Sequence, residues 1–205
     1  MIGNFSITYI IIVIGCILVS LVVHEFMHAY AGYMLGDRTA HEQGRLTLNP
    51  LAHIDPVMTI GLPVATLLLF GAPILAAKPV PFDPRNVRYD EFGAAMIAAA
   101  GPLTNLVLAF AAAMLARVMH ISVTGGSTVL GIFIIINVAI FVFNMIPIPP
   151  LDGSRVLYAF APEPLQRFMQ QIEPYGFFII IALVLTAGMG GLLMSINNYI
   201  LNFLV

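Results

Sequence analysis

Long runs of apolar residues alternate along this chain with short polar segments that are rich in proline and glycine. The first run, roughly 5–35, contains no proline and ends at Gly36, a residue that often stops a helix. As a helix it would be about 46 Å long, more than the hydrocarbon core of about 30 Å in a bilayer. Further apolar runs cover 92–119, 129–146 and 175–194. The pattern predicts four transmembrane helices.

The apolar stretch 56–77 differs from these runs because Gly61, Pro63, Gly71 and Pro73 interrupt it. Irregular backbone at membrane depth is tolerated only where protein or a water-filled cavity surrounds it. We therefore predict a re-entrant segment here. The fold class is all-α integral membrane protein, with about four transmembrane helices plus a re-entrant segment near 56–77. The semi-polar tail, 195–205, is expected to lie at the membrane interface.

The composition agrees with a membrane protein. Of 205 residues, 60% are hydrophobic and only 9% are charged, whereas charged residues make up about a quarter of a soluble domain. We expect one polytopic domain over 1–205, with a core at 5–157 and C-terminal helices at 163–203, embedded in the lipid bilayer. The net charge of -2 argues against nucleic acid as a partner. The single cysteine, Cys16, can form no internal disulfide and is expected to be a small core residue.

The basic residues predict the orientation of the chain. If 56–77 turns back, one side of the membrane holds all the basic residues but Arg117, namely Arg38, Arg45, Lys78, Arg85, Arg88, Arg155 and Arg167. If 56–77 crosses, Arg38, Arg45 and Arg117 face the other five. The excess of Lys and Arg in cytoplasmic loops favours the first arrangement. We therefore expect a multi-pass protein of the cell membrane with its N-terminus outside.

A His-Glu-Phe-Met-His run, His24 to His28, lies within the first apolar stretch, where Glu25 is the only formally charged residue before Asp37. Ionisable groups at membrane depth are costly and usually mark function. Residues four apart share one face of a helix, so His24 and His28 can bind one cation. Glu25 points about 100° away around the axis, close to the metal but not in line to bind it. The run is typical of a zinc site with a general base beside it.

Catalytic zinc takes three protein ligands and leaves a fourth position for water. Asp152 is the outstanding candidate for the third ligand, because it follows the proline-broken end of an apolar run on the same predicted side as His24. Gly153 would allow a close backbone approach or a positive φ. Asn144, eight residues before Asp152, could donate a hydrogen bond to the oxyanion or to substrate backbone. The site is then expected near the cytoplasmic face.

These motifs together resemble the site-2 protease family of intramembrane zinc metalloproteases. The run from His24 to His28 and the Leu151-Asp152-Gly153 segment resemble the family's two signatures, and 101–105 (Gly-Pro-Leu-Thr-Asn) resembles the helix motif between them. The segments 49–56 and 77–81 look like a compact prokaryotic branch, without an inserted PDZ domain or a CBS domain.

The resemblance implies that His24, His28 and Asp152 bind one Zn²⁺ per chain and that Glu25 is the general base. It implies hydrolysis of peptide bonds within or near transmembrane segments of other membrane proteins. A transmembrane protein substrate and an unidentified regulatory partner are the partners expected.

Other interpretations remain open at this point. The same ligands could belong to a membrane metal-ion transporter or to a metal-binding protein without proteolysis. Asn144 could instead bond between helices, and Asn105 is expected to do so. For His53 and Asp55, in the loop after the first helix, structural or gating roles are favoured over zinc binding.

Overall fold

The computed structural model describes residues 6–54, 80–123, 126–185 and 187–204, which contain helices and no strand. This confirms the all-α class for the described part of the chain. The α-helices are α1 Ile7–Met34, α2 Thr39–Glu42, α3 Asp90–Val118, α4 Val129–Asn144, α5 Asp152–Phe160, α6 Glu163–Ile172, α7 Gly176–Leu185 and α8 Ala187–Leu204. Short 3-10 helices occupy Pro50–Ala52, Pro84–Asn86 and Glu173–Tyr175.

Two of the described helices, α1 and α3, are long and apolar enough to cross a membrane, with 28 and 29 residues. Helix α4 is apolar but shorter, at 16 residues. Helix α1 begins close to the predicted start because the Oγ of Ser6 accepts a hydrogen bond from Tyr9 N at 3.1 Å and caps it. The count of four spans stays a prediction, and the re-entrant segment predicted near 56–77 lies outside the described residues.

The C-terminal part differs from the prediction. The sequence predicts a span over 175–194 followed by an interfacial tail at 195–205, whereas helix α8 runs from Ala187 through that tail to Leu204. The reason is packing. Leu193, Ile200, Leu201 and Leu204 contact the hydrophobic core that α3 and α4 share, so the tail is part of the bundle.

Helix α3 is the central element, since it packs against α1, α4 and α5. Its buried face consists mainly of small residues, which allow close approach of helices: Gly93, Ala95, Ala98, Gly101, Ala109, Ala112, Ala113 and Ala116. Five of the eight buried residues of α1 recur at every fourth position, and three of these five are polar: Cys16, Ser20, His24, His28 and Gly32. The interface of α1 and α3 therefore combines small residues with buried polar side chains.

A buried carboxylate joins the end of α1 to the segment that precedes α3. Asp37, only 1% exposed, accepts hydrogen bonds from Thr39 N at 3.0 Å and Thr39 Oγ1 at 2.6 Å. Its other oxygen accepts from Asp83 N at 2.9 Å. Nearby, Arg88 N donates to Leu35 O at 2.9 Å. The end of α1 and the start of α3 thus lie side by side, and the two helices run antiparallel.

We expect Asp37→Ala to lower the free energy of unfolding by about 2 kcal/mol, because it leaves three partly buried donors without their acceptor. Thermal unfolding of the detergent-solubilised protein would show a melting temperature lower by about 5 °C. The control is Asp83→Ala, which removes a surface pair with Arg85 but keeps the Asp83 N–H. Equal shifts for the two variants would contradict the role of Asp37.

Candidate metal centre

Two helices bring three metal-binding side chains together. His24 and His28 lie on successive turns of α1, and Asp152 is the first residue of α5. The two Nε2 atoms are 3.0 Å apart, and Asp152 Oδ2 lies 3.2 Å from His24 Nε2 and 3.3 Å from His28 Nε2. Within the described residues this is the one group of three or more His, Cys, Asp or Glu side chains placed to hold a metal ion. The three residues singled out in the sequence therefore do converge.

The far nitrogen of each imidazole has a fixed role. His24 Nδ1 lies 2.7 Å from Asn105 Oδ1, and His28 Nδ1 lies 2.7 Å from the carbonyl oxygen of Ile97. Both oxygens can only accept, so both Nδ1 atoms carry the proton and donate it. In the neutral rings, each Nε2 then presents a lone pair toward the other and toward Asp152.

This donor set fits a zinc ion. Two lone pairs and a carboxylate oxygen that face one another repel unless a positive charge lies between them. Zinc bonds of about 2.0–2.1 Å in a tetrahedron give distances of about 3.3 Å between ligand atoms, close to the distances found here. Three ligands also leave the fourth position that catalytic zinc requires. His24, His28 and Asp152 are thus close enough to bind one ion.

The chain reaches Asp152 through a tight turn after α4. Three prolines, Pro147, Pro149 and Pro150, end the apolar helix and lead into α5. A Cβ on Gly153 would lie 2.3 Å from Met145 O, so glycine is needed here for close approach and not for a positive φ. The turn thus places the carboxyl group of Asp152 against the two imidazoles.

Gly101 makes room for the two imidazoles. A Cβ at this position would lie 2.4 Å from His28 Nε2 and 2.9 Å from His24 Cε1. Any larger residue would push both rings away from Asp152. Gly101 precedes Pro102 in the interior of α3, so the glycine of the Gly-Pro-Leu-Thr-Asn segment is explained by the space that the site requires.

Glu25 lies beside this cluster. Its side chain is buried, and it is close enough to His28, His24, Asp152 and His53 for their charges to interact. It does not belong to the three-residue cluster itself. This position agrees with the helical geometry, which turns Glu25 away from the ligand face.

The other predicted residues have different surroundings. Asn144 is half-buried at the end of α4, and its Nδ2 donates to Ile140 O at 3.0 Å within the same helix. His53 is buried and donates from Nε2 to Thr47 O at 2.8 Å. It lies near Glu25 but outside the ligand cluster. Asp55 lies outside the described residues. Asn105 bonds between helices as expected, and its partner is the candidate ligand His24.

Two further polar residues of the site were not predicted from the sequence. Ser20 and Asn137 are fully buried and bond to Asn105 or to each other. A signal for Asn137 was present, because an amide in the middle of the apolar run 129–146 has to find a partner inside the protein. Ser20 gave no comparable signal, since serine is common within apolar helices.

Comparison with known proteins agrees with this site. The profile of peptidase family M50 matches residues 119–187, a stretch that includes Asp152. A protein of Bacillus subtilis strain 168 named as a candidate zinc metalloprotease, YwhC, is 38% identical over 178 residues, covering 83% of this chain and 78% of that protein. The chain belongs to peptidase family M50. No solved structure matches it.

A second relative supports the assignment to the M50 family. Rip2 of Mycolicibacterium smegmatis, also named as a candidate zinc metalloprotease, is 32% identical over 186 residues, covering 86% of this chain and 67% of that protein. This M50 peptidase is thus a zinc metalloprotease, and the resemblance seen in its motifs is confirmed. The transporter interpretation gains no support.

We expect Gly101→Ala to abolish stoichiometric zinc binding by this M50 peptidase, because the new methyl group occupies the space of His28 Nε2. The measurement is zinc content of the folded, detergent-solubilised protein after gel filtration. Gly15→Ala is the matched control, because no atom lies within 4 Å of a Cβ at that position of α1. One zinc per chain in both variants would contradict this account of Gly101.

Proposed function

We propose that this M50 peptidase is an intramembrane endopeptidase that hydrolyses peptide bonds within or near transmembrane segments of other membrane proteins. The observation that carries the proposal is the convergence of Asp152 with His24, His28 and Glu25, which lie on α1, a helix long and apolar enough to cross a membrane. In this proposal the scissile peptide bond lies at the depth of this helix in the membrane.

In this proposal His24, His28 and Asp152 hold the zinc ion. When bound, zinc supplies a Lewis acid that lowers the pKa of water and polarises the scissile carbonyl group. The family and the donor set support this assignment. The two Nδ1–H hydrogen bonds, to Asn105 and Ile97, keep both imidazoles oriented for the ion.

Glu25 acts as the general base. Its carboxylate accepts a proton from the attacking water as the new C–O bond forms at the scissile carbonyl carbon. The protonated Glu25 then donates that proton to the leaving nitrogen as the C–N bond breaks. The burial of Glu25 and its closeness to both histidines support this role.

The substrate has to unwind before it can be cut. In a transmembrane helix each carbonyl group accepts a hydrogen bond from its own helix, so it is not free for attack. Asn144, at the end of α4, is the candidate to bind the unwound backbone or the oxyanion. Its Nδ2 would exchange the bond to Ile140 O for one to the substrate.

The active site faces the cytoplasm, and the chain between 55 and 79 enters and leaves on that side. The bond from Asp83 N to Asp37 supports this, because it puts the residues that flank 55–79 at one end of α1 and α3. Arg38, Arg85 and Arg88 lie in these flanking segments, while Arg117 lies in the last turn of α3, at the far end. The excess of positive charge marks the first end as cytoplasmic.

The first test is proteolysis by Glu25→Gln. Co-expressed with a panel of single-span membrane proteins, the variant should cleave about 10²- to 10⁴-fold more slowly than the unchanged chain, because the amide cannot accept the proton. Zinc content should stay at one per chain, since Glu25 is not a ligand. Glu42→Gln, an exposed acid on α2, is the control. Undiminished cleavage by Glu25→Gln would refute the proposed role.

The second test is topology. Replacing Cys16 by serine gives a cysteine-free background, because the chain has a single cysteine. Single cysteines at the exposed positions Gln43, Arg85 and Met119 can then be labelled with a membrane-impermeant maleimide in intact cells. In intact cells we expect the reagent to label the cysteine at position 119 only. The cysteines at positions 43 and 85 should react once the cells have been lysed. Labelling of 43 and 119 on one side and 85 on the other would mean that 56–77 crosses the membrane.

A further inference from the structure

A polar cluster that takes no direct part in the chemistry lies behind His24. It consists of Ser20 on α1, Asn105 on α3 and Asn137 on α4, each with no exposed surface. Polar groups buried in a helix bundle lose their hydration and are retained where their hydrogen bonds are satisfied. Three helices each contribute one residue, and the cluster meets the metal centre at a single atom, His24 Nδ1.

The bonds of this cluster fix the orientation of both amides. Asn137 Nδ2 donates to Phe133 O at 2.9 Å and to Ser20 Oγ at 2.9 Å. Its oxygen is therefore turned toward Asn105, whose Nδ2 donates to it at 2.8 Å and to Ser20 O at 3.3 Å. Each amide nitrogen thus donates to one backbone carbonyl oxygen, which can only accept a hydrogen bond. Neither amide can therefore flip without losing that bond.

The consequence for His24 is a choice of tautomer. Because Asn105 Nδ2 is held by Ser20 O and Asn137, the atom facing His24 is Oδ1, an acceptor. His24 must then carry its proton on Nδ1, which leaves the Nε2 lone pair on the side of His28 and Asp152. A flipped Asn105 would present N–H to Nδ1 and favour the tautomer with a proton on Nε2, which cannot bind a metal ion.

We propose that Asn105, Asn137 and Ser20 are positioning residues that select the metal-binding tautomer of His24 and hold its ring in place. The inference rests on the proposed ligation of zinc by His24. Asn137 acts indirectly, through Asn105. It lies on α4, a helix that contributes none of the three candidate metal ligands. The competing explanation is that the cluster only joins α1, α3 and α4 to one another.

The two explanations differ in what the folded protein does with metal. The variants are Asn105→Leu, which removes the acceptor, and Asn137→Leu, which removes the support of Asn105. Thr104→Val is the matched control. Thr104 Oγ1 donates to Ala100 O within α3, so the substitution removes one hydrogen bond next to Asn105 that involves no candidate ligand. For each, the zinc Kd of the folded full-length protein in detergent is measured by competition with a chromophoric chelator. The visible spectrum of the Co²⁺-substituted protein reports the ligand geometry.

We expect Asn105→Leu to weaken zinc binding by about 10- to 100-fold, as loss of a partner behind a ligating histidine does. Asn137→Leu should show a smaller loss and an altered Co²⁺ spectrum, while Thr104→Val matches the unchanged chain. Unchanged zinc Kd and Co²⁺ spectra in folded Asn105→Leu and Asn137→Leu would overturn the proposal in favour of helix packing alone. If the unchanged chain itself bound no zinc, or if His24→Ala had no effect on binding, the proposed function would fail instead.

A second measurement needs no variant of the cluster and so avoids any loss of folding. Nitrogen-15 spectra of the zinc-free, histidine-labelled protein report which ring nitrogen carries the proton, and the signals of His24 are identified by their absence in His24→Ala. We expect the proton on Nδ1. A His24 ring protonated on Nε2 would overturn the proposal outright.

Discussion

The structure depends on one electrostatic constraint, the meeting of three electron-pair donors inside an apolar bundle. Two imidazole Nε2 atoms and a carboxylate oxygen lie 3.0–3.3 Å from one another, and no such arrangement is stable without positive charge among them. The surrounding packing accommodates it. Gly101 lets the imidazoles approach α3, and Gly153 lets the turn before α5 close on Met145. Both glycines are thus explained by the geometry of the site.

Around α1 the bundle combines an apolar outer surface with polar residues in the interior. On α1 the large apolar residues are exposed, as with Ile10, Ile14 and Val19, whereas Ser20, His24 and Glu25 are buried. In water this distribution would be unfavourable; in lipid it is the expected one, because hydrocarbon solvates the apolar surface and neighbouring helices supply the hydrogen bonds. The position of the polar residues at the contact of α1 with α3 keeps the proposed chemistry away from lipid, and it requires a route by which water enters.

Both candidate histidine ligands are oriented by groups from another helix. Ile97 O and Asn105 Oδ1, both on α3, fix the two imidazoles of α1, and Asp37 fixes the end of α1 against the segment before α3. Because these bonds link parts of the chain that are distant in sequence, the site and the antiparallel pairing of α1 with α3 form together. A metal centre on an isolated α1 helix would lack both the third ligand and the orientation of the other two.

The sequence by itself determined the all-α class, the apolar runs 5–35, 92–119 and 129–146 that correspond to helices, and the identity of the three converging residues. It did so because hydropathy and the spacing of His24 and His28 are local properties. Only the tertiary structure decided that Ser20 and Asn137 stand behind His24, that Gly153 serves close approach, and that the tail packs as α8 against α3 and α4. Those features depend on which helix packs against which, and a local sequence pattern does not contain that information. A buried asparagine looks the same in the sequence whether it orients a ligand or joins two helices.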